Sequence, residues 1–176
     1  LNNDDARRSG AGGPTLIYDG AGNIIERRKD IWNTHYDTPK LSGRITWDPA
    51  GDTVANLGGH YQRIYDRYYE DGVRIGPGQP DRVRTVYEDE DSWNYEVSGD
   101  YQFGLGPGKL KLIGLRRFSH EPYRQEIVTT PAGGIATGDR FAQTGDIGET
   151  IGRGEYQWKM FGGDWQLSGE AAFNTL

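Results

Sequence analysis

The chain has no cysteine, which excludes disulfide scaffolds, thiolate zinc sites and cysteine nucleophiles. Long hydrophobic runs are missing as well. Apolar residues make up 34% of the 176 positions, and no stretch reaches the ~18–20 consecutive apolar residues of a spanning helix, so a helical membrane protein is excluded. Basic excess is missing too: 20 Lys and Arg against 26 Asp and Glu leave a formal charge of −6, the wrong sign for a nucleic-acid partner. The three histidines, His35, His60 and His120, lie far apart and show neither HExxH nor paired-ligand spacing, so no metal is expected. Gly106-Pro107-Gly108 and the other glycine clusters precede no helix and no Gly-Lys-Ser/Thr, so they are not phosphate loops. No cofactor is expected.

What is abundant is glycine, 27 residues, with eleven Tyr, five Trp and five Phe. Glycine with aromatics and few aliphatics suits a β protein rich in turns. The chain begins at Leu1 without a Met or a signal segment and ends at Leu176 inside a strand pattern, so a fragment of something longer is expected.

Residues 1–39 read as a polar, irregular segment, a loop or early barrel piece. Asn2-Asn3-Asp4-Asp5 and Gly10-Ala11-Gly12-Gly13-Pro14 are loop chemistry. Asp19-Gly20-Ala21-Gly22-Asn23 separates Leu16-Ile17-Tyr18 from Ile24-Ile25, which fits a small hairpin. From residue 40 a period of two takes over. Leu41, Gly43, Ile45 and Trp47 alternate with Ser42, Arg44 and Thr46. Ala55, Leu57, Gly59 and Tyr61 alternate with Asn56, Gly58, His60 and Gln62. The clearest stretch puts Trp93, Tyr95, Val97, Gly99, Tyr101 and Phe103 on one face and Asn94, Glu96, Ser98, Asp100 and Gln102 on the other. Residues 109–120 alternate less cleanly. Tyr156, Trp158 and Met160 oppose Glu155, Gln157 and Lys159. Trp165, Leu167, Gly169, Ala171 and Phe173 then oppose Gln166, Ser168, Glu170, Ala172 and Asn174.

Residues 40–176 thus predict six strands in three consecutive hairpins. Their tight turns centre near Ala50, Pro107 and Gly163. Segments 66–88 and 121–148 are expected as long loops at the opposite end. Short turns at one end and long loops at the other match an outer-membrane β-barrel. The fold class expected is therefore all-β, with antiparallel up-and-down hairpins forming part of a transmembrane β-barrel. Trp93 to Phe103 is ~33 Å of strand, covering ~23 Å of depth at a ~45° tilt, close to the ~25 Å apolar band of such barrels. Trp47, Phe103 and Trp165, beside the tight turns, predict one aromatic girdle, and Trp93 the other. The segment around Arg116 and Arg117 sends an Arg outward in either register, or else is bulged.

The run Tyr101-Gln102-Phe103-Gly104-Leu105-Gly106-Pro107-Gly108-Lys109-Leu110-Lys111-Leu112-Ile113-Gly114-Leu115 resembles a barrel hairpin of bacterial TonB-dependent outer-membrane receptors. The pieces Gly154-Glu155-Tyr156-Gln157-Trp158-Lys159 and Gly162-Gly163-Asp164-Trp165, continuing to Gly169-Glu170-Ala171-Ala172-Phe173-Asn174, do the same. So does Pro39-Lys40-Leu41-Ser42-Gly43-Arg44-Ile45-Thr46-Trp47. The resemblance covers roughly residues 24–176. It implies a bacterial outer-membrane location, a 22-stranded barrel closed by a plug domain, and active uptake of a scarce nutrient of siderophore or oligosaccharide class. The implied partners are outer-membrane lipid, the receptor's own plug domain and TonB, both outside this chain, and a small-molecule substrate. In that reading Arg44, His60, Gln62, Glu96, Asp100, Gln102, Lys111, Glu155, Gln157, Lys159 and Glu170 face the lumen and meet plug or substrate. A passive porin-like barrel and a soluble β-sandwich or propeller binding module remain alternatives. The sandwich requires Trp93, Tyr95, Val97, Tyr101 and Phe103 to be buried in a protein core.

The remaining features read as ordinary surface. Glu88-Asp89-Glu90-Asp91 lacks the spacing and turn glycine of a calcium loop and reads as a solvated loop. Glu96 and Asp100 lie ~13 Å apart along one strand, too far for a glycosidase pair, and no enzyme is expected. Arg82-Val83-Arg84 can grip an anionic ligand but is expected in a solvated loop. Tyr61, Tyr65, Tyr68 and Tyr69 are expected in girdle or loop packing.

Overall fold

The computed structural model describes residues 7–49 and 51–176. Asn2–Asp5 and Ala50, the expected centre of the first tight turn, lie outside the described residues. Eight strands follow one another: β1 (Arg7–Tyr18), β2 (Ile24–Asp37), β3 (Lys40–Trp47), β4 (Val54–Gly76), β5 (Gln79–Leu105), β6 (Gly108–Pro131), β7 (Thr137–Met160) and β8 (Gly163–Thr175). Every neighbouring pair is antiparallel, and all belong to one sheet in the order β1-β2-β4-β5-β6-β7-β8, with β3 also on β4. The sheet is an open up-and-down meander: β1 and β8 do not pair with each other.

β2 and β3 are two halves of one line. Asp37 faces Tyr65 and Lys40 faces Gln62, so the register against β4 runs on unbroken across the join. Pro39, which has no N–H to donate, marks the interruption. Its carbonyl still accepts from the Arg63 N–H at 3.0 Å.

The turns are as short as the strands are long. Gly106-Pro107 joins β5 to β6, with Gly106 at φ 57° and a proline that must take negative φ. That is the sign pattern of a type II′ hairpin. Phe161 (φ 53°) and Gly162 (φ 76°) join β7 to β8, both positive as a type I′ turn demands. At the other end, the Asp19 carboxylate closes the β1–β2 turn, accepting from the N–H of Ala21 (2.9 Å) and of Asn23 (2.8 Å).

Three expectations are corrected here. Segment 66–88 is not a loop: β4 runs to Gly76, turns at Pro77-Gly78, and β5 begins at Gln79. Segment 121–148 is likewise strand, apart from the turn between Pro131 and Thr137. The N-terminal region, expected as polar and irregular with a small hairpin about residues 19–23, is a β-hairpin from Arg7 to Asp37, so β1 and β2 add to the six strands expected and found over 40–176. In 66–88 and 121–148 both faces carry charge, and in β1 glycines, Ala11 and Pro14 stand where an apolar face would be, so the alternation that advertises a strand disappears, while the backbone ladder continues. Nor is β6 bulged. Its register holds through the gap in the β5 ladder opposite Glu121 and Pro122, where proline offers no donor.

The sheet has no second layer. Val86 is the one buried hydrophobic side chain among the described residues. The exposed surface is 12205 Å², against roughly 8,600 Å² for a compact monomer of this mass. Val97 is 47% and Tyr101 40% exposed, so the buried core that a sandwich requires of these residues is not formed by this chain. Ser92 (2%) and Val86 (4%), by contrast, are covered. Both lie on the opposite, polar face, the burial expected if the sheet curls toward that side.

Candidate functional site

Directly paired residues of an antiparallel ladder share a face, so the register sorts side chains row by row. One row reads Trp47, Ala55, Tyr101, Leu112, Gly154, Gly169. The next reads Ile45, Leu57, Gly99, Gly114, Gly152, Ala171, and the one above it Gly43, Gly59, Val97, Arg116, Thr150, Phe173. This apolar face is bounded by aromatics at both levels. Near the β5–β6 and β7–β8 turns, Tyr101 stacks with Phe103 (5.2 Å), Tyr156 with Trp158 (5.3 Å) and Trp158 with Trp165 (6.5 Å). Tyr156 Oη donates to the Leu105 carbonyl (2.9 Å) and Trp165 Nε1 to that of Met160 (3.0 Å), so the polar ends of these rings are satisfied at the turn side. At the other level Trp93 touches Tyr61, Tyr95, Phe118 and His120 at 5.3–6.3 Å. Trp47, Phe103 and Trp165 fall in three adjacent rows at one end, with Trp93 at the other.

From the Trp93 row onward the same face turns charged. Arg63 pairs with Asp91 (2.5 Å), Arg67 with Asp89 (3.1 Å), Arg140 with Glu126 (3.2 Å) and His120 with Asp146 (2.6 Å). The one cation inside the apolar rows is Arg116. It donates to Thr150 Oγ1 (2.8 Å) and reaches toward the Phe118 ring (5.9 Å to its centroid), in the direction of the charged rows. Arg117 points to the other face and pairs with Glu149 at 2.7 Å.

The polar face gathers all eleven of the residues singled out from sequence. His60, Glu96, Arg117 and Glu149 share a row, and with Asn94 and Ser119 line a depression of about 310 Å³. Asp100 accepts from Asn56 (3.2 Å) and approaches Lys111 (3.5 Å) one row away. Gln102, Lys111 and Glu155 form one row, with Ser168. Glu155 and Glu170 both contact Arg153, at 2.6 and 3.8 Å. Arg44 approaches Asn56 (3.4 Å), Gln157 donates to Gln166 (3.1 Å), and Lys159 lies 3.8 Å from Asp164. Gln62 faces Lys40 and Asn94. No group of three or more His, Asp or Glu among the described residues is arranged to hold a metal ion. No protein-family model matches this chain, and no curated protein does either.

Toward the Pro77-Gly78 tip the polar face carries a cluster that sequence reading did not assemble. Arg28 faces Arg74 and Arg74 faces Arg82, three guanidinium stems in direct cross-strand succession. Arg84 stands one row along. Glu26 bonds both Arg28 and Arg82, and Glu70 lies 3.4 Å from Arg84 and 3.9 Å from Arg74. The bond from Arg28, with the attraction of the neighbouring guanidiniums, holds the Glu26 carboxyl below its ordinary range. Burial and the nearby Arg28 and Arg84 push Arg74 below the usual arginine value too, which for a guanidinium disfavours the charged form. Further from the tip the face turns acidic. Burial, and then Glu90 and Glu88, raise the Asp66 carboxyl. Tyr68 donates to Glu70 (2.6 Å), and that bond pushes its hydroxyl up to about 12.

The Glu88–Asp91 run is therefore strand, not loop. Asp89 and Asp91 pair with arginines on one face, and Glu88 on the other accepts from Gln125 at 2.6 Å. The tyrosines divide likewise. Tyr61 stacks on Trp93, Tyr65 lies under Arg63, Tyr69 reaches Asp71, and Tyr68 belongs to the polar face. The signal for the arginine row was present in Gly76-Pro77-Gly78-Gln79, a turn sequence. Read as a hairpin tip, it sets Gly76 opposite Gln79, and the register shift between Arg74 and Gly76 then brings Arg74 opposite Arg82.

Proposed function

We propose that this chain forms part of a transmembrane β-barrel of a TonB-dependent outer-membrane receptor, taking up a scarce small-molecule nutrient. The observation that carries the reading is the two-faced sheet. Apolar rows closed by aromatic rows on both sides face away from a polar surface, and ion pairs begin at the second aromatic row. Lipid tails offer no partner to a polar group, so a face meeting them must be apolar across the ~25 Å band and aromatic at its borders. A water-soluble sheet would leave the same rows exposed at a cost of ~25 cal/mol per Å². The 27 residues of β5 give roughly 85 Å of strand, or about 60 Å of rise at a ~45° tilt, more than twice that band. The surplus lies on the charged side, as expected of hairpins standing out from the membrane into water. Arg116, two rows from Trp93, lies where an outward cation can snorkel to the interface. The polar face is the lumen in this reading, and its eleven candidates meet plug or substrate.

Two measurements test the proposal. Wild-type protein is expected in the outer-membrane fraction of its bacterial host, and recovery from the soluble fraction overturns the barrel. Substrate uptake is expected to stop when the proton-motive force is collapsed. Uptake that persists favours a passive porin-like barrel.

A further inference from the structure

We infer that Arg28, Arg74, Arg82 and Arg84 form a binding site for a small-molecule oxyanion, a carboxylate or phosphate group, on the polar face of the extended hairpins. Like charges directly opposite one another on a ladder repel, and here three arginines stand in one row, Arg28–Arg74–Arg82. The chain supplies too little to offset them. Four guanidiniums meet Glu26 and Glu70. The third nearby carboxylate, Asp30, faces Gly72, and its Oδ1 is covered without a hydrogen-bond partner. Arg74, with its side chain only 14% exposed, approaches Glu70 no closer than 3.9 Å. Its Nε and the Nη1 of Arg82 are buried with no partner among the described residues. Buried donors without acceptors call for an explanation, and the planar forks of arginine match carboxylate and phosphate oxygens two at a time. Such a row repels itself until an anion sits among it.

As a substrate subsite this rests on the barrel reading above; as an anion site it does not. It deepens that reading by favouring an anionic substrate over a neutral oligosaccharide. Glu88, Glu90 and Asp66 further along the same face repel an anion away from the acidic stretch and toward the arginines.

The test is calorimetric titration of the whole protein in detergent with citrate and with inorganic phosphate, at fixed ionic strength. Saturable binding of at least one is expected, and which one binds separates a carboxylate from a phosphate ligand. Arg74→Gln and Arg82→Gln are each expected to weaken it about tenfold or more. Arg140→Gln, an equally charged change on the other face, should leave it unchanged. Glu70→Gln removes the competing carboxylate and should tighten it, a gain that a folding defect cannot mimic. Absence of binding by both probes, indifference to Arg74→Gln, or no tightening in Glu70→Gln overturns the site. Insertion into liposomes, measured in parallel, keeps the two readings apart. Insertion without anion binding leaves the barrel and removes the site, whereas binding without insertion does the reverse.

Discussion

The two ends of β4, β5, β6 and β7 share one backbone ladder and differ in everything else. Near the β5–β6 turn the strands are sorted, apolar on one face apart from Arg116 and mostly polar on the other, where Ile113, Leu115 and Ile151 are the exceptions. Toward the Pro77-Gly78 tip both faces carry charge, with Arg67 and Asp89 on one and Glu70 and Arg84 on the other. The hydrogen bonds run through the boundary without a register shift in β4–β5 until Arg74. Backbone pairing sets the strand, and the surroundings of each face set its alternation. Period two therefore reports an environment and not the secondary structure itself.

The sharpest way to break the comparison is to place one charge in each half of the same strand and face. Val97→Arg, at the centre of the apolar rows, is expected to cost ~2–4 kcal/mol of bilayer stability. Val83→Arg, on the same face beyond the aromatic boundary, should stay within ~0.5 kcal/mol. Urea unfolding in liposomes reads both, and equal costs would erase the distinction between the halves. Next in size is Trp93→Ala. It removes four ring contacts and is expected to cost ~2–3 kcal/mol in the same assay. Tyr87→Ala loses an approach from Arg124, worth about 1 kcal/mol at this half-buried site.

A third pair tests the two faces at one level. Arg116→Leu is expected to be neutral or stabilising by up to ~1 kcal/mol in a bilayer, since it replaces the one cation of the apolar rows. Arg117→Leu, which strips Glu149 of its partner, should destabilise by ~1 kcal/mol or less. Reversed signs would mean that the faces have been assigned backwards.

The smallest effect is a pH dependence confined to the extended hairpins. Glu26 has a depressed carboxyl, so it contributes stability above its unfolded value, lost as pH falls through its folded value. Asp66 has a raised carboxyl, so its penalty is present at neutral pH and relieved as pH falls through its folded value. Protease protection of the β4–β5 tip should therefore rise slightly and then fall as pH drops through the carboxylate range. The strands between the aromatic rows should show neither phase. A monotonic profile would contradict the assignment of these two shifts.

The legible part of the fold was the part whose two faces differ. Trp93 to Phe103 declared its strand, its register partner across Gly106-Pro107 and its apolar face, and all eleven polar candidates emerged on one side. What was not legible had no contrast to show. From Asp66 to Asp71 successive residues are charged or aromatic without alternation, and segment 66–88 reads as loop although it is paired on both sides of the Pro77-Gly78 turn. The break at Thr38-Pro39 hid the continuity of β2 with β3, because a proline in a period-two pattern signals an end. The arginine row stayed unseen for a related reason. Its members come from β2, β4 and β5, and only the ladder brings Arg28, Arg74 and Arg82 side by side. A charge pair such as Arg82 and Arg84 is ambiguous alone and becomes specific once the opposite strand is known.

The central claim is that the apolar face meets lipid and the polar face does not. Because the chain has no cysteine, single cysteines carrying nitroxide labels can be introduced one at a time from Asn94 to Gln102 without background. The measurement is collision with oxygen, which concentrates in lipid, against collision with a water-soluble nickel chelate, in the protein reconstituted into bilayers. The account predicts a period of two, with oxygen dominant at Tyr95, Val97, Gly99 and Tyr101 and nickel dominant at Glu96, Ser98 and Asp100. Equal nickel access at Val97 and Ser98 would contradict it.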